Sequence, residues 1–176
     1  MTAVWGVCAT RNALELSERA WISPMPMKLA EQPILGQPLR VALVFNNTGK
    51  EPAIDVNFNN TYGVVPHPNN GDMTRMTFPE NTACKGIEPV LGGGVAAPTI
   101  ADRNTRLTDT SHSSQPVVVD EAIMNGQAWV YTQGCIVYRT FNKTHFTQYC
   151  NVFRFYPGLA TQETSSILCI SGNTAN

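Results

Sequence analysis

The pattern of apolar and polar positions is clearest between residues 39 and 62. In LRVALVFN (39–46), every second side chain is apolar and the positions between are also fairly apolar, as in a strand covered on one face and partly on the other. Asn46, Asn47 and Gly49 follow, and these residue types tolerate the positive φ of a tight reversal. PAIDVNFNNTY (52–62) then resumes strand character, so the pattern predicts an antiparallel all-β fold.

A second pair of strands is predicted near the C-terminal end. AWVYTQGCIVYRTF (128–141) indicates a long strand bulged at Gly134, and KTHFTQYCNVFRFY (143–156) indicates the strand that returns beside it. A two-residue turn at Asn142 and Lys143 would place Cys135 directly opposite Cys150. Directly opposed residues of an antiparallel pair are close to disulfide reach, so these two cysteines are the expected bridge.

The N-terminal segment, residues 1–20, has a different character from the rest. AVWGVCA (3–9) is apolar but far shorter than the roughly 20 residues of a membrane span. TRNALELSERAW (10–21) predicts a short helix. Two interpretations stay open: a helix that packs on the domain, or the trailing end of a membrane anchor. Residues 21–176 are expected to form the β domain.

An irregular stretch at about residues 65–115 interrupts the predicted strands. It is rich in Pro, Gly, Asn and Thr, and loops of this length are usually functional or ordered by short elements of their own. Loops on a rigid scaffold are where binding residues concentrate. The insertion is therefore the expected interaction loop, with four charged or titratable residues as candidates: Arg75, Asp102, Arg103 and His112.

The length and the net charge of the chain limit the classes of function that we expect for it. A chain of 176 residues suits one domain, large enough to bury a core without metal or disulfide support. Twelve Lys and Arg against thirteen Asp and Glu leave no positive field for non-specific nucleic-acid binding. Nucleic acid is not expected as a partner.

The chain has five cysteines, and their expected state depends on the cellular compartment. In the cytosol they would stay reduced, whereas in the periplasm they would tend to pair. Cys135 with Cys150 is the preferred bridge, and Cys84 with Cys169 is a weaker second pair. Cys8 is then the odd cysteine, consistent with a position near a membrane.

Motifs for catalysis, cofactors or metals are weak. TGKE around Lys50 lacks the first glycine and the Ser or Thr of a phosphate loop. The glycines at 92–94 lack a strand and helix context, and no G-x-S-x-G elbow occurs. No C-x-x-C or close Cys and His pair is present for zinc. No catalytic residue, cofactor or metal site is predicted.

Several segments resemble known proteins. VALVFNNTGKEPAIDV (41–56) is similar to bacterial immunoglobulin-like envelope domains. ALELSERAWI (13–22), GCIVYRTFNKTHFTQYC (134–150) and LCISGNTAN (168–176) resemble uncharacterised proteobacterial proteins with a single N-terminal membrane helix and a periplasmic β domain. The resemblance implies an immunoglobulin-like antiparallel β-sandwich on the periplasmic side of the inner membrane, anchored through its N-terminus.

Two functions follow as hypotheses. The favoured one is a non-catalytic module of the cell envelope that binds a protein partner, as an accessory subunit of a larger assembly. The alternative is an enzyme or small-ligand-binding protein with its site in the 65–115 insertion. An enzyme should gather titratable residues in a pocket, whereas an interaction module should expose an apolar patch or a strand edge.

Overall fold

The computed structural model describes residues 18–26, 28–67, 76, 78–98, 106–109, 116–154, 166–169 and 173–176, with backbone alone at 28 and 106–109. The strands are β1 (Ile22–Pro24), β2 (Lys28–Leu29), β3 (Val41–Asn47), β4 (Ala53–Pro66), β5 (Gly94–Ala96), β6 (Arg106–Asp109), β7 (Ala128–Thr140), β8 (Lys143–Phe153), β9 (Ser166–Leu168) and β10 (Thr174–Ala175), with helix α1 (Glu121–Met124) before β7. The predicted all-β class is confirmed.

The strands form two antiparallel sheets of unequal size. In the small sheet, β1 and β2 pair in succession with one edge of β3, and β6 pairs with its other edge. In the large sheet the order is β8, β7, β4 and β5, with β9 and β10 along the outer edge of β8. One face of each sheet contributes to a shared core, which gives a sandwich-like arrangement.

Side chains of the shared core come from every second position of β3, β7 and β8, as expected for strands, in which successive side chains point to opposite faces. Its largest side chains come from both sheets and are almost completely buried: Leu43 and Phe45 from β3, and Val130, Ile136, Tyr138, Tyr149 and Phe153 from β7 and β8. The ring of Phe45 contacts the ring of Tyr149 edge-on, with centroids 5.2 Å apart. This contact joins the small sheet to the centre of the large one.

The polar turn after β3 does not close a hairpin. β3 and β4 belong to different sheets, so the turn carries the chain from one layer to the other. Asn47, which is fully buried, fixes this corner. Its side-chain oxygen accepts hydrogen bonds from the Trp21 and Gly49 N–H groups at 3.0 and 2.9 Å. Its amide nitrogen donates to the Glu51 and Ala96 carbonyls at 2.7 and 2.9 Å.

The β7–β8 hairpin was predicted correctly, but its register was not. Phe141 and Asn142 form the two-residue turn, both with positive φ, and Thr140 pairs with Lys143. The turn lies one residue earlier than predicted. Cys135 is therefore opposite Gln148 rather than Cys150.

The disulfides correct the predicted pairing. Cys84 bonds to Cys135 and Cys150 bonds to Cys169, with Cα atoms 5.1 and 5.3 Å apart. The predicted Cys135–Cys150 and Cys84–Cys169 pairings are wrong because the hairpin register separates the first pair. Cys169 instead follows β9, where its N–H donates to the Cys150 carbonyl, and this places it directly beside Cys150.

The outer face of the large sheet is covered as well. Residues 78–90, which we call the strap, lie across this face and are attached to it through the Cys84–Cys135 disulfide. Beside the strap, Trp129 and Cys150 pack with Cys169 in a second buried cluster. β7 is consequently buried along almost its whole length on both faces.

Glycines at two positions make room for cross-strand tyrosine rings. The register pairs Gly134 with Tyr149 and Gly63 with Tyr131, and a Cβ at either glycine would lie inside contact distance of the opposite ring. Aromatic side chains commonly cover glycine in this way. The predicted bulge at Gly134 is absent, because the register runs unbroken through it on both sides.

We expect Gly134→Ala to lower the free energy of unfolding by about 2 kcal/mol, because the fully buried Tyr149 ring cannot move away from the added methyl group. Gly63→Ala should cost less than about 1 kcal/mol, since Tyr131 is partly exposed and can turn outward. Urea unfolding followed by tryptophan fluorescence measures both values. Equal losses for the two variants would contradict this account.

The N-terminal region is described only from residue 18 onward. Most of the predicted helix at 1–20, together with Cys8, lies outside the described residues. Ala20 is completely buried, and its carbonyl accepts a hydrogen bond from the Tyr138 hydroxyl at 3.2 Å. Residues 19–22 thus pack against the large sheet. In the part of the chain that the structure describes, no helix is long and apolar enough to cross a membrane.

Candidate functional site

The four predicted interaction residues, Arg75, Asp102, Arg103 and His112, lie outside the described residues. The structure does describe other parts of the predicted insertion. β4 extends to Pro66, the strap crosses the outer face, β5 joins the large sheet and β6 joins the small one. The 65–115 region therefore contributes strands to both sheets. It also forms two surface features next to the strap.

Side-chain amides of the large sheet hold the strap. The donors come from neighbouring positions on the outer face of three strands, and each donates to a strap carbonyl: Asn57 to Glu88 (2.8 Å), Asn59 to Ala83 (3.0 Å), Gln133 to Pro79 (2.9 Å) and Gln148 to Asn81 (3.1 Å). Asn81 bonds in the opposite direction, from its amide nitrogen to the Gly134 and Tyr149 carbonyls. These bonds and the Cys84–Cys135 disulfide fix the strap at several points.

The first feature is an open cleft of about 430 Å³ between one end of the strap and the sheet. Gln133 and Gln148 form its floor, and its strap side is formed by Phe78, Pro79, Glu80, Asn81 and Lys85. The Lys85 ammonium lies 3.6 Å from the Glu80 carboxylate, and both side chains are largely exposed. The Phe78 ring contacts the Tyr131 ring edge-on, with centroids 5.6 Å apart.

The second feature is an apolar surface at the β5 side of the large sheet. We call Ile54, Val90, Leu91 and Val95 the edge surface; each is exposed, and Leu91 retains 86% of its accessible area. Ala53 and Ala96 are paired and face the core, so their neighbours Ile54 and Val95 face outward. Val90 and Leu91 lie in the turn that leads into β5. Clustered exposed apolar side chains are typical of interaction surfaces.

An ion pair supports this surface from beneath. Asp55 lies at a bulge of β4 with φ 53°, and its carboxylate accepts hydrogen bonds from the Arg139 guanidinium, with Nε at 2.7 Å. Its other oxygen accepts from the Gly92 N–H at 2.9 Å, and its carbonyl accepts from Val90 at 3.1 Å. Asp55 thereby connects β7 to the turn that carries Val90 and Leu91.

The same contacts lower the pKa of the Asp55 carboxyl. The Arg139 hydrogen bond is the largest cause, the Gly92 N–H adds to it, and burial opposes both. A carboxyl whose folded pKa is lowered stabilises the fold above its unfolded pKa, and that contribution is lost as pH falls through the folded value.

We therefore expect the destabilisation caused by Arg139→Gln to be largest near pH 7 and to shrink as pH falls below the ordinary carboxyl pKa of about 4. It should vanish only below the lowered pKa of Asp55, where this carboxyl is protonated in both proteins. Urea unfolding at a series of pH values measures this difference. Lys50→Gln, which breaks the exposed Lys50–Glu18 pair, is the control and should have little effect at any pH. A pH-independent difference for Arg139→Gln would contradict the assignment.

Phe141 adds an exposed aromatic ring at the hairpin tip. It follows Arg139, the register partner of Ile54, by two residues, and half of its area is exposed. Its φ of 51° lies in the left-handed region, which bulky residues rarely adopt. Turns with two positive φ values favour Asn and Gly. Strained residues of this kind cluster at functional positions.

Among the described residues, no group of three or more His, Cys, Asp or Glu side chains is arranged so that it could hold a metal ion.

The side-chain amides that bind the strap were not predicted from the sequence. The signal was the alternation of Asn57 and Asn59 along a predicted strand, which indicates a polar face. Nothing in the sequence pattern placed Phe78, Glu80 and Lys85 beside Gln133.

Comparison with known proteins adds no relative from which a function could be transferred. No family model matches the chain, and neither a curated protein nor a solved structure matches it.

Proposed function

We propose that the chain is a non-catalytic interaction module of the bacterial cell envelope, an immunoglobulin-like sandwich held at the membrane through its N-terminus. Its protein partner binds the edge surface together with Phe141. The observation that carries this proposal is the clustering of exposed Ile54, Val90, Leu91 and Val95 around one rigid corner of the large sheet.

The contacts that hold the edge surface in one conformation favour a role in binding. Asp55 ties the turn to Arg139, and the strap that leads into this turn is fixed by a disulfide. A preorganised apolar surface loses less conformational entropy on association than a mobile one. The exposed, strained Phe141 adds an aromatic ring of the type enriched at the centre of interfaces.

The two disulfides support the proposed compartment. Bridges of this kind persist in oxidising environments such as the periplasm. We expect Cys84, Cys135, Cys150 and Cys169 to resist alkylation in intact cells until a reductant is added. Mass spectrometry of the alkylated protein checks this, and free thiols at all four positions would contradict an envelope location.

Partner binding can be tested by crosslinking in membranes, followed by affinity purification and mass spectrometry. Leu91→Ser removes the most exposed apolar side chain of the edge surface, and Phe141→Asn replaces the strained aromatic by a residue that suits the turn. We expect both variants to lose the crosslinked partner. Phe141→Asn should do so while the melting temperature stays equal or rises.

Leu35→Ser is the matched control, because Leu35 is also an exposed leucine but lies in the turn between β2 and β3. It should keep the partner. Capture of the same proteins by wild type, Leu91→Ser and Phe141→Asn would rule out the edge surface as the binding site.

A second candidate function is a small-ligand-binding protein with its site in the 65–115 region. The cleft favours it, since five of its seven lining residues belong to the strap. Its volume is at the lower end of the range for ligand pockets.

A further inference from the structure

The cleft between the strap and the large sheet offers an unused acceptor at its floor. Gln133 is 4% exposed and lines the cleft, and its amide nitrogen donates to the Pro79 carbonyl. That bond fixes the rotation of the amide group. No described residue donates to the side-chain oxygen of Gln133, so this oxygen is held in place with its hydrogen-bonding capacity available to a ligand.

The charges around the cleft compensate each other. One carboxylate, Glu80, and one ammonium, Lys85, lie 3.6 Å apart at the rim. An anion or a cation would gain attraction from one of them and repulsion from the other, so neither sign of charge is favoured. A ligand with hydroxyl groups can donate to Glu80 and to Gln133 and accept from Lys85 without separating the pair.

An aromatic wall completes the site. Phe78 is partly exposed, and its contact with Tyr131 orients the ring beside the polar groups. The flat C–H face of a sugar ring is apolar and packs on such a surface, while its hydroxyl groups point sideways. Small pockets that combine an aromatic side chain with a few fixed polar groups are typical ligand sites.

We propose that this cleft binds one or two rings of an uncharged carbohydrate. The sugar rests on Phe78, donates hydroxyl hydrogen bonds to Gln133 and Glu80, and accepts one from Lys85. This inference rests on the second candidate function, small-ligand binding at the cleft, and names the class of ligand. It is independent of the interaction module, because the cleft and the edge surface are different surfaces.

The experiment uses the whole chain with isotope-labelled backbone amides. Glucose, N-acetylglucosamine and cellobiose are titrated as carbohydrate probes, and glycylglycine and inorganic phosphate as zwitterionic and anionic probes. We expect a carbohydrate to shift the amide resonances of the strap saturably, with a dissociation constant of the order of 1 to 10 mM. Glycylglycine and phosphate should leave these resonances in place.

Three substitutions locate the site: Phe78→Leu, Glu80→Ala and Lys85→Ala. Each should weaken carbohydrate binding at least about fivefold, because each removes one contact of the proposed pose. Lys50→Ala is the matched control, since Lys50 also forms an exposed ion pair, with Glu18, away from the cleft. It should leave the affinity unchanged, and melting temperatures verify that all four variants fold.

Three results would overturn the proposal. The first is the absence of a saturable shift with any carbohydrate up to about 100 mM, well above the affinity expected. The second is binding of glycylglycine or phosphate in place of the sugars. The third is carbohydrate binding that folded cleft variants and Lys50→Ala retain equally. None of them affects partner capture by the edge surface, which is measured separately.

Discussion

Asn47→Ala is expected to lower the free energy of unfolding by about 4 kcal/mol, because it removes all four hydrogen bonds of a buried carboxamide. The N–H groups of Trp21 and Gly49 and the carbonyls of Glu51 and Ala96 would lose their partners. Because these groups belong to the N-terminal segment, the corner turn and β5, the loss loosens three segments together. Urea unfolding measures the change.

Asn46→Ala is the matched control for this prediction. Asn46 precedes Asn47 on the same strand, but its amide makes a single described bond, to the Met25 sulfur, and its oxygen has no partner among the described residues. Its replacement should cost less than about 1 kcal/mol. Similar losses for Asn46→Ala and Asn47→Ala would show that burial alone, rather than the four bonds, explains the effect.

Asn47→Asp tests the donors separately from the acceptors. Aspartate keeps the two acceptor contacts but places a carboxylate against the Glu51 and Ala96 carbonyls, so stability at pH 7 should fall as far as in the alanine variant. Protonation restores one donor, and part of the loss should be recovered as pH is lowered through the raised pKa of the new carboxyl. A variant that is equally unstable at pH 4 and pH 7 would contradict this account.

Removal of the Cys84–Cys135 disulfide by alanine substitution of both cysteines is the second large effect. The bond spans 51 residues, and the chain-entropy argument gives a loss of about 4 kcal/mol. Removal of the Cys150–Cys169 bond, which spans 19 residues, should cost about 3 kcal/mol. The strap variant should also expose the amides of residues 78–90 to hydrogen exchange while the core strands stay protected.

Guanidinium chloride unfolding gives the two stability losses, and non-reducing peptide mapping gives the linkages themselves. Peptides joining Cys84 to Cys135 and Cys150 to Cys169 are expected. A peptide joining Cys135 to Cys150 would contradict the hairpin register as well as the disulfides. The Gly134 variants provide an independent check, since they depend on the same register.

The long strands were predictable because their apolar residues alternate with period two. LRVALVFN and AWVYTQGCIVYRTF correspond to β3 and β7 within two residues at each end. The turn between β3 and β4 was also recognised from its Asn and Gly residues. Whether such a turn closes a hairpin or crosses between sheets depends on Asn47, whose four partners are up to 49 residues away in the chain.

The candidate sites were less predictable. A shift of one residue in a hairpin turn moves every cross-strand pair, and this was enough to replace the Cys135–Cys150 pairing with two others. The edge surface depends on the bulge at Asp55 and on the position of the turn after the strap. Neither follows from local composition, because both arise from contacts distant in sequence.

The amino-acid sequence by itself determined the all-β class, the strands β3, β7 and β8, and the presence of a hairpin between β7 and β8, because these depend on side-chain alternation and turn residues close together in the chain. The tertiary structure alone decided the sheet to which each strand belongs, the disulfide partners, the strap across the outer face and both candidate surfaces. Those features depend on the register of distant strands and on buried amides such as Asn47 and Gln133, whose partners become adjacent only when the chain folds.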